Sequence, residues 1–239
     1  MDRLLQMSVV ALGATLASTA SADMVKVADT IDDFASVQGQ DNWSYGWYAG
    51  SDVGLTGGAG SLDTNNFQEF GHYDSGIGWW THDDASASSG SGATPFFLTV
   101  ITSQFMHANA PIAGSDVDGQ SRWASRRWSS EVAGDIQITG QIAKVDQGPL
   151  LGDGAEAYVI VDGAVAYHYA LGADDYAGTS FDLTVNVGEG SLIEFVLGGN
   201  ASGLNDAALF TAKIDGTVPA PGAVALLGMG GLLVGRRRR

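Results

Sequence analysis

The stretch NWSYGWY, residues 42–48, carries the side chains best suited to bind a sugar. Alternate residues of an extended strand point to the same face, so Trp43, Tyr45 and Trp47 are expected to share one face. Flat rings of this kind stack against the C–H faces of sugars, while nearby amides and carboxylates bind the hydroxyl groups. The alternative is that the three rings belong to the hydrophobic core, where large aromatic side chains dominate the packing.

A second aromatic group consists of Trp79, Trp80 and His82. Because neighbouring residues of a strand point to opposite faces, one tryptophan is expected to be buried and the other to lie at the surface or in a groove. His82 would then contribute to a sugar-binding rim. These three residues join Trp43, Tyr45 and Trp47 as the predicted sugar-binding set.

Three of the few basic residues, Arg122, Arg126 and Arg127, lie in sequence around Trp123 and Trp128. One interpretation is a pocket for an acidic sugar or a carboxylate partner, because a guanidinium group binds a carboxylate through two parallel hydrogen bonds. The other is structural: the arginines pair with the abundant aspartates and stack on the tryptophans.

Acidic residues in predicted turns indicate a calcium site. Asp116 and Asp118 in SDVDGQ have the opening spacing of an oxygen-ligand loop, although no glutamate follows at the EF-hand distance. Other oxygen ligands in predicted turns are Asp146, Asp153, Asp174, Asp175, Asn205 and Asp206. Hard oxygen ligands without cysteine favour calcium over a transition metal, but aspartates are also common in turns that bind no metal. Structural calcium is therefore the one cofactor considered, and none is required.

Motifs of enzymes are missing from the sequence. No serine has the Gly-x-Ser-x-Gly pattern, and the four histidines do not form His-Glu-x-x-His. Glycoside hydrolysis needs two carboxylates across a cleft, and Glu156 and Glu194, in or beside predicted strands, are the one pair worth inspecting. The sequence thus predicts a protein without enzymatic activity, with a glycan hydrolase as the less favoured alternative.

Short β-rich segments with glycine turns predict an all-β fold, an antiparallel β-sandwich. The predicted strands are 95–106, 135–145, two runs within 157–171, 181–187, 192–197 and 207–214. Asp162-Gly163 predicts a two-residue hairpin, and Gly-Glu-Gly after Val187 predicts another turn. Residues 51–66, 83–94 and 108–120 are predicted loops. A jelly roll is the preferred topology, with an immunoglobulin-like order as the alternative.

The two ends of the chain have the features of targeting segments. Leu4 to Ala17 is largely apolar, and Ala20-Ser21-Ala22 has the small-x-small form of a signal-peptidase site, which predicts a signal helix cleaved after Ala22. At the other end, Pro219 and Pro221 precede an uncharged segment and four arginines, Arg236, Arg237, Arg238 and Arg239. The 13 uncharged residues 223–235 would form a helix about 20 Å long, shorter than the roughly 30 Å hydrocarbon core. The arginines can reach anionic headgroups and resist translocation.

This C-terminal arrangement resembles the PEP-CTERM sorting signal over residues 218–239, with Pro219-Ala220-Pro221 in place of Pro-Glu-Pro. The resemblance implies processing by an exosortase-type transpeptidase near the prolines, after a signal peptidase has acted, and only transient membrane contact through the C-terminal hydrophobic helix. It also implies delivery to the cell surface or extracellular matrix of a Gram-negative-type bacterium that makes extracellular polysaccharide and biofilm. We expect a signal peptide (1–22), one β-sandwich domain (23–217) and a sorting signal (218–239).

The segments FASVQGQDNWSYGWY, RRWSSEVAGDIQITGQIAKVD and VIVDGAVAYHYAL resemble a jelly-roll domain that recurs in exported bacterial proteins. That domain is distantly similar to carbohydrate-binding sandwiches. The resemblance covers most of residues 32–215 and implies a carbohydrate-binding-like β-sandwich, but it assigns no functional residues.

Charge and cysteine content exclude several function classes. The chain has 11 Lys and Arg against 27 Asp and Glu, a net charge of −16. Loss of both targeting segments would leave 6 basic and 26 acidic residues, a net charge of −20, which argues against nucleic acid as a partner. Without cysteine there are no disulfides and no thiol chemistry. The sequence favours an exported protein that binds or organises extracellular polysaccharide, with a structural or adhesive protein that contacts protein partners as the alternative.

The predicted export signal can be tested by mass spectrometry of the secreted product. We expect its N-terminus at Asp23, because cleavage follows Ala20-Ser21-Ala22. Replacing Ala20 and Ala22 by bulky residues should leave the leader attached. Recovery of a secreted chain that still begins at Met1 would contradict the assignment.

Overall fold

The structure is a computed structural model that describes residues 23–80, 99–109, 121–145, 152–201 and 206–217. Within these ranges no helix is long and apolar enough to span a bilayer. Several sequence predictions lie outside the described residues, namely the signal helix and Ala22, the sorting signal with Pro219, Pro221 and Arg236–Arg239, the loops of 83–94 and 110–120, and the single residues His82, Asp116 and Asp118.

The described strands form two antiparallel sheets. The first sheet has the order β14 (Thr179–Val187), β11 (Gly134–Lys144), β16 (Ala208–Thr217), β9 (Phe105–His107), β8 (Val100–Ile101), β7 (Gly78–Trp80) and β6 (His72–Asp74), and β1 (Met24–Asp29) also pairs with β16. The second sheet has the order β3 (Val53–Thr56), β4 (Ala59–Leu62), β13 (Ala164–Leu171), β12 (Ala155–Val161), β15 (Leu192–Gly199), β10 (Arg122–Ser129), β2 (Trp43–Ala49) and β5 (Gln68–Glu69). Three short 3-10 helices are Gln40–Asn42, Gly50–Asp52 and Thr64–Asn66. The predicted antiparallel β-sandwich is confirmed.

The chain passes repeatedly from one sheet to the other. Strand β10 belongs to the second sheet, β11 to the first and β12 to the second, and β14, β15 and β16 alternate in the same way. As a result, neighbours within a sheet are often distant in sequence. Connections of this crossing type build Greek-key and jelly-roll sandwiches.

The main core fills the space between the sheets. The first sheet contributes Ile136, Ile138, Phe210 and Ile214, and the second contributes Trp43, Trp128 and Phe195. Strand β11 runs unbroken through Gly140. Glycine is required there because a Cβ would lie 2.3 Å from Cζ of Phe181, whose ring packs on this strand.

A smaller outer core covers the opposite face of the second sheet. It contains Tyr48, Leu55, Leu62, Tyr158, Ile160 and Val196. Residues 50–67, here called the covering segment, supply Leu55 and Leu62 from the hairpin β3–β4. The sequence prediction of a loop over 51–66 is therefore wrong, because its apolar residues alternate and are buried.

Local sequence signals predicted one hairpin correctly. Asp162 and Gly163 have φ values of 49° and 82° and connect β12 to β13, as their residue types require.

The turn after Val187 does not form a hairpin, because β14 and β15 lie in different sheets and do not pair. The described part of the predicted strand 95–106, residues 99–106, is not one strand. The Thr102 hydroxyl accepts hydrogen bonds from the N–H groups of Gln104 and Phe105 at 3.2 and 3.0 Å, which closes a turn between β8 and β9.

Arg126 on β10 is fully buried between the two sheets. Its Nη1 donates to the carbonyls of Ser103 and Phe210 at 3.3 and 3.1 Å, and its Nη2 donates to those of Thr102 and Phe105 at 2.7 and 3.3 Å. All four carbonyls lie in the first sheet or in its β8–β9 turn. Burial lowers the pKa of Arg126 to about 10, so the group is still charged at neutral pH. One cation thus joins the two sheets.

Replacing Arg126 by methionine should lower the free energy of unfolding by at least about 3 kcal/mol, because four main-chain carbonyls each lose a hydrogen bond from a charged donor. Urea unfolding at pH 7 measures this loss. Lys213→Met is the control: Lys213 is half-exposed in a surface ion pair with Asp215, and its loss should change the free energy little. Equal effects of the two substitutions would contradict the role given to Arg126.

Candidate functional site

The predicted sugar-stacking rings lie in the core. Trp43, Tyr45 and Trp47 do share the inner face of β2, as predicted, but Trp43 and Tyr45 are no more than 1% exposed. Tyr45 stacks on Trp79 with ring centroids 5.7 Å apart, and burial raises the pKa of its hydroxyl to about 12. Trp43 packs against Phe195. Trp43 and Tyr45 therefore have no open face for a sugar and match the core alternative, whereas Trp47 packs against the same core and is only partly buried.

The expectation that only one of Trp79 and Trp80 is buried is wrong. They are 5% and 6% exposed. Trp79 lies in the main core, where its indole N–H donates to the Ala35 carbonyl at 2.8 Å, and Trp80 packs against Val100. Both sides of β7 are covered here, so adjacent residues are buried in opposite directions.

The three arginines do not form the predicted anion pocket. Arg122 and Arg126 point to the inner face of β10 and Arg127 to the outer face, because adjacent residues of a strand alternate. Arg122 lies over the Trp47 ring at 4.6 Å, and Arg127 lies over the Phe67 ring at 3.9 Å. The structural interpretation holds in part: Arg126 binds main-chain carbonyls and Arg127 pairs with Glu194 rather than with an aspartate, and the stacked rings are Trp47 and Phe67 rather than Trp123 and Trp128.

Glu194 forms a buried network on the outer face of the second sheet. Its carboxylate accepts hydrogen bonds from the Tyr48 hydroxyl at 2.8 Å, the Ser125 hydroxyl at 2.9 Å and Arg127 at 3.3 Å. Burial, and then the charge of Glu194, raises the pKa of Tyr48 well above its ordinary value. Arg127 also donates to the Thr64 carbonyl at 2.7 Å, so this network holds the covering segment on the sheet.

Glu156 and Glu194 do not form a glycosidase pair. In the register of β12 with β15, Glu156 lies opposite Gly198 and Glu194 opposite Ile160. Four residues along a strand separate them by roughly 13 Å, beyond the spacing of about 5–9.5 Å that hydrolysis uses. Glu156 contacts His168, and Glu194 is fully buried. Neither is placed to act on a polysaccharide.

A cleft of about 370 Å³ opens beside two tight turns of the first sheet. Its lining consists of Phe34, Tyr73, Ser75, Gly76, Ile77, Gly78, Thr102, Ser103, Gln104 and Phe105. None of these side chains carries a formal charge at neutral pH, although the whole chain has a net charge of −16. We call this feature the neutral aromatic cleft.

The rings and polar groups of the cleft suit a hydroxyl-rich ligand. Tyr73 is 37% exposed and packs on Trp79 at 5.3 Å, with the Phe34 ring 6.3 Å away. Ser103 and Gln104 add a hydroxyl and an amide. No sequence signal marks this site, because its residues come from three distant segments, none with a recognisable motif.

The wall of the cleft is fixed from inside the protein. The Thr102, Ser103 and Phe105 carbonyls point inward to Arg126. Gly78, also in the lining, has a φ of 97°, and a Cβ there would lie 2.3 Å from the Ile101 carbonyl oxygen, so this position requires glycine. The hydrogen bonds to Arg126 hold the β8–β9 turn in place.

No family model matches the chain, and no curated protein matches it. One similar solved structure is the C-terminal CBM6 of LamC, a marine laminarinase from Zobellia galactanivorans, with 14% identity over 46% of this chain and 77% of that chain and a TM-score of 0.28. A second is the carbohydrate-binding module CBM36 in complex with calcium and xylotriose, with 12% identity over 47% of this chain and 78% of that chain and a TM-score of 0.25. A third is the PA14 sugar-binding domain from an RTX adhesin, with 11% identity over 72% of this chain and 88% of that chain and a TM-score of 0.27. At these identities and TM-scores the likenesses identify neither a family nor a ligand for this chain.

Replacing Glu194 by glutamine should loosen the covering segment. The amide keeps the shape but loses the attraction for Arg127 and presents hydrogen atoms to neighbouring donors. We expect amide hydrogen exchange in 53–62 to become at least about tenfold faster, while exchange in β11 is unchanged. Glu189→Gln, in an exposed turn, is the matched control. Unchanged exchange in 53–62 would show that the segment is held by its apolar contacts alone.

Proposed function

We propose that this protein is an exported component of the cell surface or extracellular matrix that binds or organises extracellular polysaccharide without catalysing a reaction on it. The neutral aromatic cleft is the proposed binding site. The observation that carries this proposal is an uncharged cleft with an exposed tyrosine in a strongly acidic protein.

The size and chemistry of the cleft support a sugar ligand. A volume of about 370 Å³ lies at the lower end of the range for small-ligand sites, enough for one or two sugar residues of a polymer. The Tyr73 ring can cover an apolar C–H face, and Ser103 and Gln104 can bind hydroxyl groups. The acidic protein around the cleft repels anionic polymers, so a neutral polysaccharide is favoured.

A binding role without catalysis agrees with the lining of the cleft. Glycoside hydrolysis needs an acid and a base or nucleophile at the sugar bond. The described lining contains no carboxylate and no histidine. The proposed binding also needs no cofactor.

The fixed wall of the cleft favours binding as well. Immobilising flexible side chains and loops on association weakens affinity, and a preorganised site avoids much of this loss. Arg126 already holds the three carbonyls of one wall. Binding of a ligand would therefore immobilise few additional side chains or loops of the protein.

The proposed location depends on the two ends of the sequence. The N-terminal leader favours export through a signal peptidase, and the resemblance of residues 218–239 to the PEP-CTERM signal favours an exosortase-type partner. A polysaccharide ligand would be available at the surface reached by that route.

A structural or adhesive surface protein with protein partners is the second candidate. Burial of Trp43, Tyr45, Trp79 and Trp80 favours it, because the residues first expected to bind sugar stabilise the fold instead. This candidate predicts no affinity for any polysaccharide.

A binding experiment separates the two candidates. The purified full chain is mixed with insoluble neutral and acidic polysaccharides, and its affinity is measured by depletion. We expect binding to a neutral polymer, about tenfold weaker in Tyr73→Ala because the stacking surface is lost. Tyr176→Ala is the matched control, since Tyr176 is 43% exposed and Tyr73 37%, and Tyr176 is not part of the cleft lining.

Circular dichroism confirms that each variant is folded before its affinity is compared. Binding that is equal in Tyr73→Ala and Tyr176→Ala would remove the cleft as the site while leaving polysaccharide binding in place. No binding to any polymer would reject the proposed function and favour the structural candidate.

A further inference from the structure

Strand β14 is the outermost strand of the first sheet, and its outer edge is open. It pairs with β11 over its whole length of nine residues without a register shift, and no described strand pairs with its other side. The main-chain N–H and C=O groups along such an edge are available to a further strand. We call the open side of Thr179–Val187 the β14 edge. It is a site where another chain can add to the sheet.

The other sheet edges in the described ranges are short or irregular. Strands β6, β5 and β3 have three, two and four residues. Strand β1 is longer, but its pairing with β16 has a register shift between Lys26 and Ala28. Short strands, bulges and lysines are features with which proteins prevent edge-to-edge association. The β14 edge has none of these features, and it contains no proline.

The inner face of β14 is complementary to itself in an antiparallel pair centred on Leu183. In such a pair Leu183 faces its own copy, and Val185 faces Phe181 of the second copy. Leu183 and Val185 are only partly buried, at the margin of the main core. Because cross-strand pairs of apolar side chains stabilise a sheet, a second β14 would cover both residues and continue the core from one copy into the next.

The outer face of β14 places no like charges opposite each other in the same register. Asp182, the single charged residue of the strand, faces Thr184 of the second copy. The two copies of Asp182 are then diagonal neighbours about 7–8 Å apart, and each accepts hydrogen bonds from its own Gln137 at 2.9 and 3.2 Å. Since the whole chain has a net charge of −16, an edge with one charge is better suited to self-association than the acidic surface around it.

The described part of the second sheet leaves the β14 edge accessible. Strand β13 lies beneath β14, where the Tyr167 ring stacks on Phe181 at 5.2 Å. The hairpin β3–β4 is the next part of that sheet and pairs with β13 only at Ala164. Its Leu55 and Leu62 pack on the outer face of the second sheet, so the hairpin folds away from the β14 edge.

We propose that the β14 edge joins this chain to a second copy of itself, through antiparallel pairing of the two β14 strands about a two-fold axis at Leu183. The first sheets of the two copies would then form one continuous sheet. The pair is closed, because each copy uses the same edge. No residue of β14 lines the neutral aromatic cleft, so this inference is independent of sugar binding.

Sedimentation velocity of the purified full chain tests the association. We expect the mass to rise from one chain to two over concentrations of about 1–100 µM. Val185→Lys should raise the Kd of the dimer at least about tenfold, because a charge replaces an apolar contact and an edge lysine opposes strand addition. Val25→Lys makes the same change at a 45% exposed position of β1 and is the matched control, so its Kd should equal that of the wild type.

A single cysteine tests the register, because the chain has no cysteine of its own. Residues directly opposite each other in an antiparallel pair have Cα atoms about 4.5–5.5 Å apart, which a disulfide can span. We expect Leu183→Cys to give a disulfide-linked dimer under mild oxidation. Ser180→Cys, exposed on the same strand, would lie roughly 20 Å from its own copy and should remain a single chain on a non-reducing gel.

A wild-type chain that remains monomeric at all these concentrations would overturn the proposal. A dimer that Val185→Lys leaves intact would overturn it as well, because that dimer forms through another surface. Equal cross-linking of Leu183→Cys and Ser180→Cys would reject pairing about Leu183. Circular dichroism confirms that each variant is folded, and the two cysteine variants decide the question if Val185→Lys does not fold.

Discussion

The packing of the two sheets depends on a buried cation, Arg126, that has no carboxylate partner among the residues that the structure describes. Arg126 is surrounded by four main-chain carbonyls, and these dipoles keep it charged in a buried position. Because the carbonyls of Thr102, Ser103 and Phe105 must point inward to meet it, the β8–β9 turn has one allowed orientation. That orientation makes the turn one wall of the neutral aromatic cleft. A residue of the core thereby determines the shape of a surface site.

The neighbouring Arg127 stabilises the other face of the same strand. It points away from the main core and meets Glu194, a buried anion, under the covering segment. Consecutive arginines thus stabilise opposite faces of the same strand, one through carbonyl dipoles and the other through a carboxylate. This arrangement explains why three clustered basic residues in an acidic chain do not form a pocket for an anion.

Much of the fold could be predicted from local patterns. The alternation of Ile136 and Ile138 and the Asp162-Gly163 turn depend on strand geometry and on positive φ, which are properties of neighbouring residues. The partners of each strand depend on the whole sandwich. For this reason β14 and β15 could be predicted as strands, but their assignment to different sheets could not. Likewise, the turn at Thr102 divides a segment whose sequence is typical of a single strand.

The candidate site was less predictable than the fold. The sequence allowed two roles for the aromatic residues, sugar stacking or core packing, because whether a ring is buried depends on what covers it. Tyr45 and Trp79 cover each other although they are 34 positions apart in the sequence. Phe34, Tyr73 and Gln104 meet in the cleft only after the strands have paired. The sequence placed Asp206 among several turn residues with possible metal-ligating oxygens, and its burial is visible only in three dimensions.

The covering segment has a consequence for how this chain can fold. Disulfides fasten surface segments in many proteins, but this chain has no cysteine, and Glu194, Tyr48 and Arg127 hold residues 50–67 through hydrogen bonds and an ion pair. Closure of this kind needs no oxidant and no disulfide isomerase. Folding of this chain therefore includes no disulfide-forming step, because the chain has no cysteine.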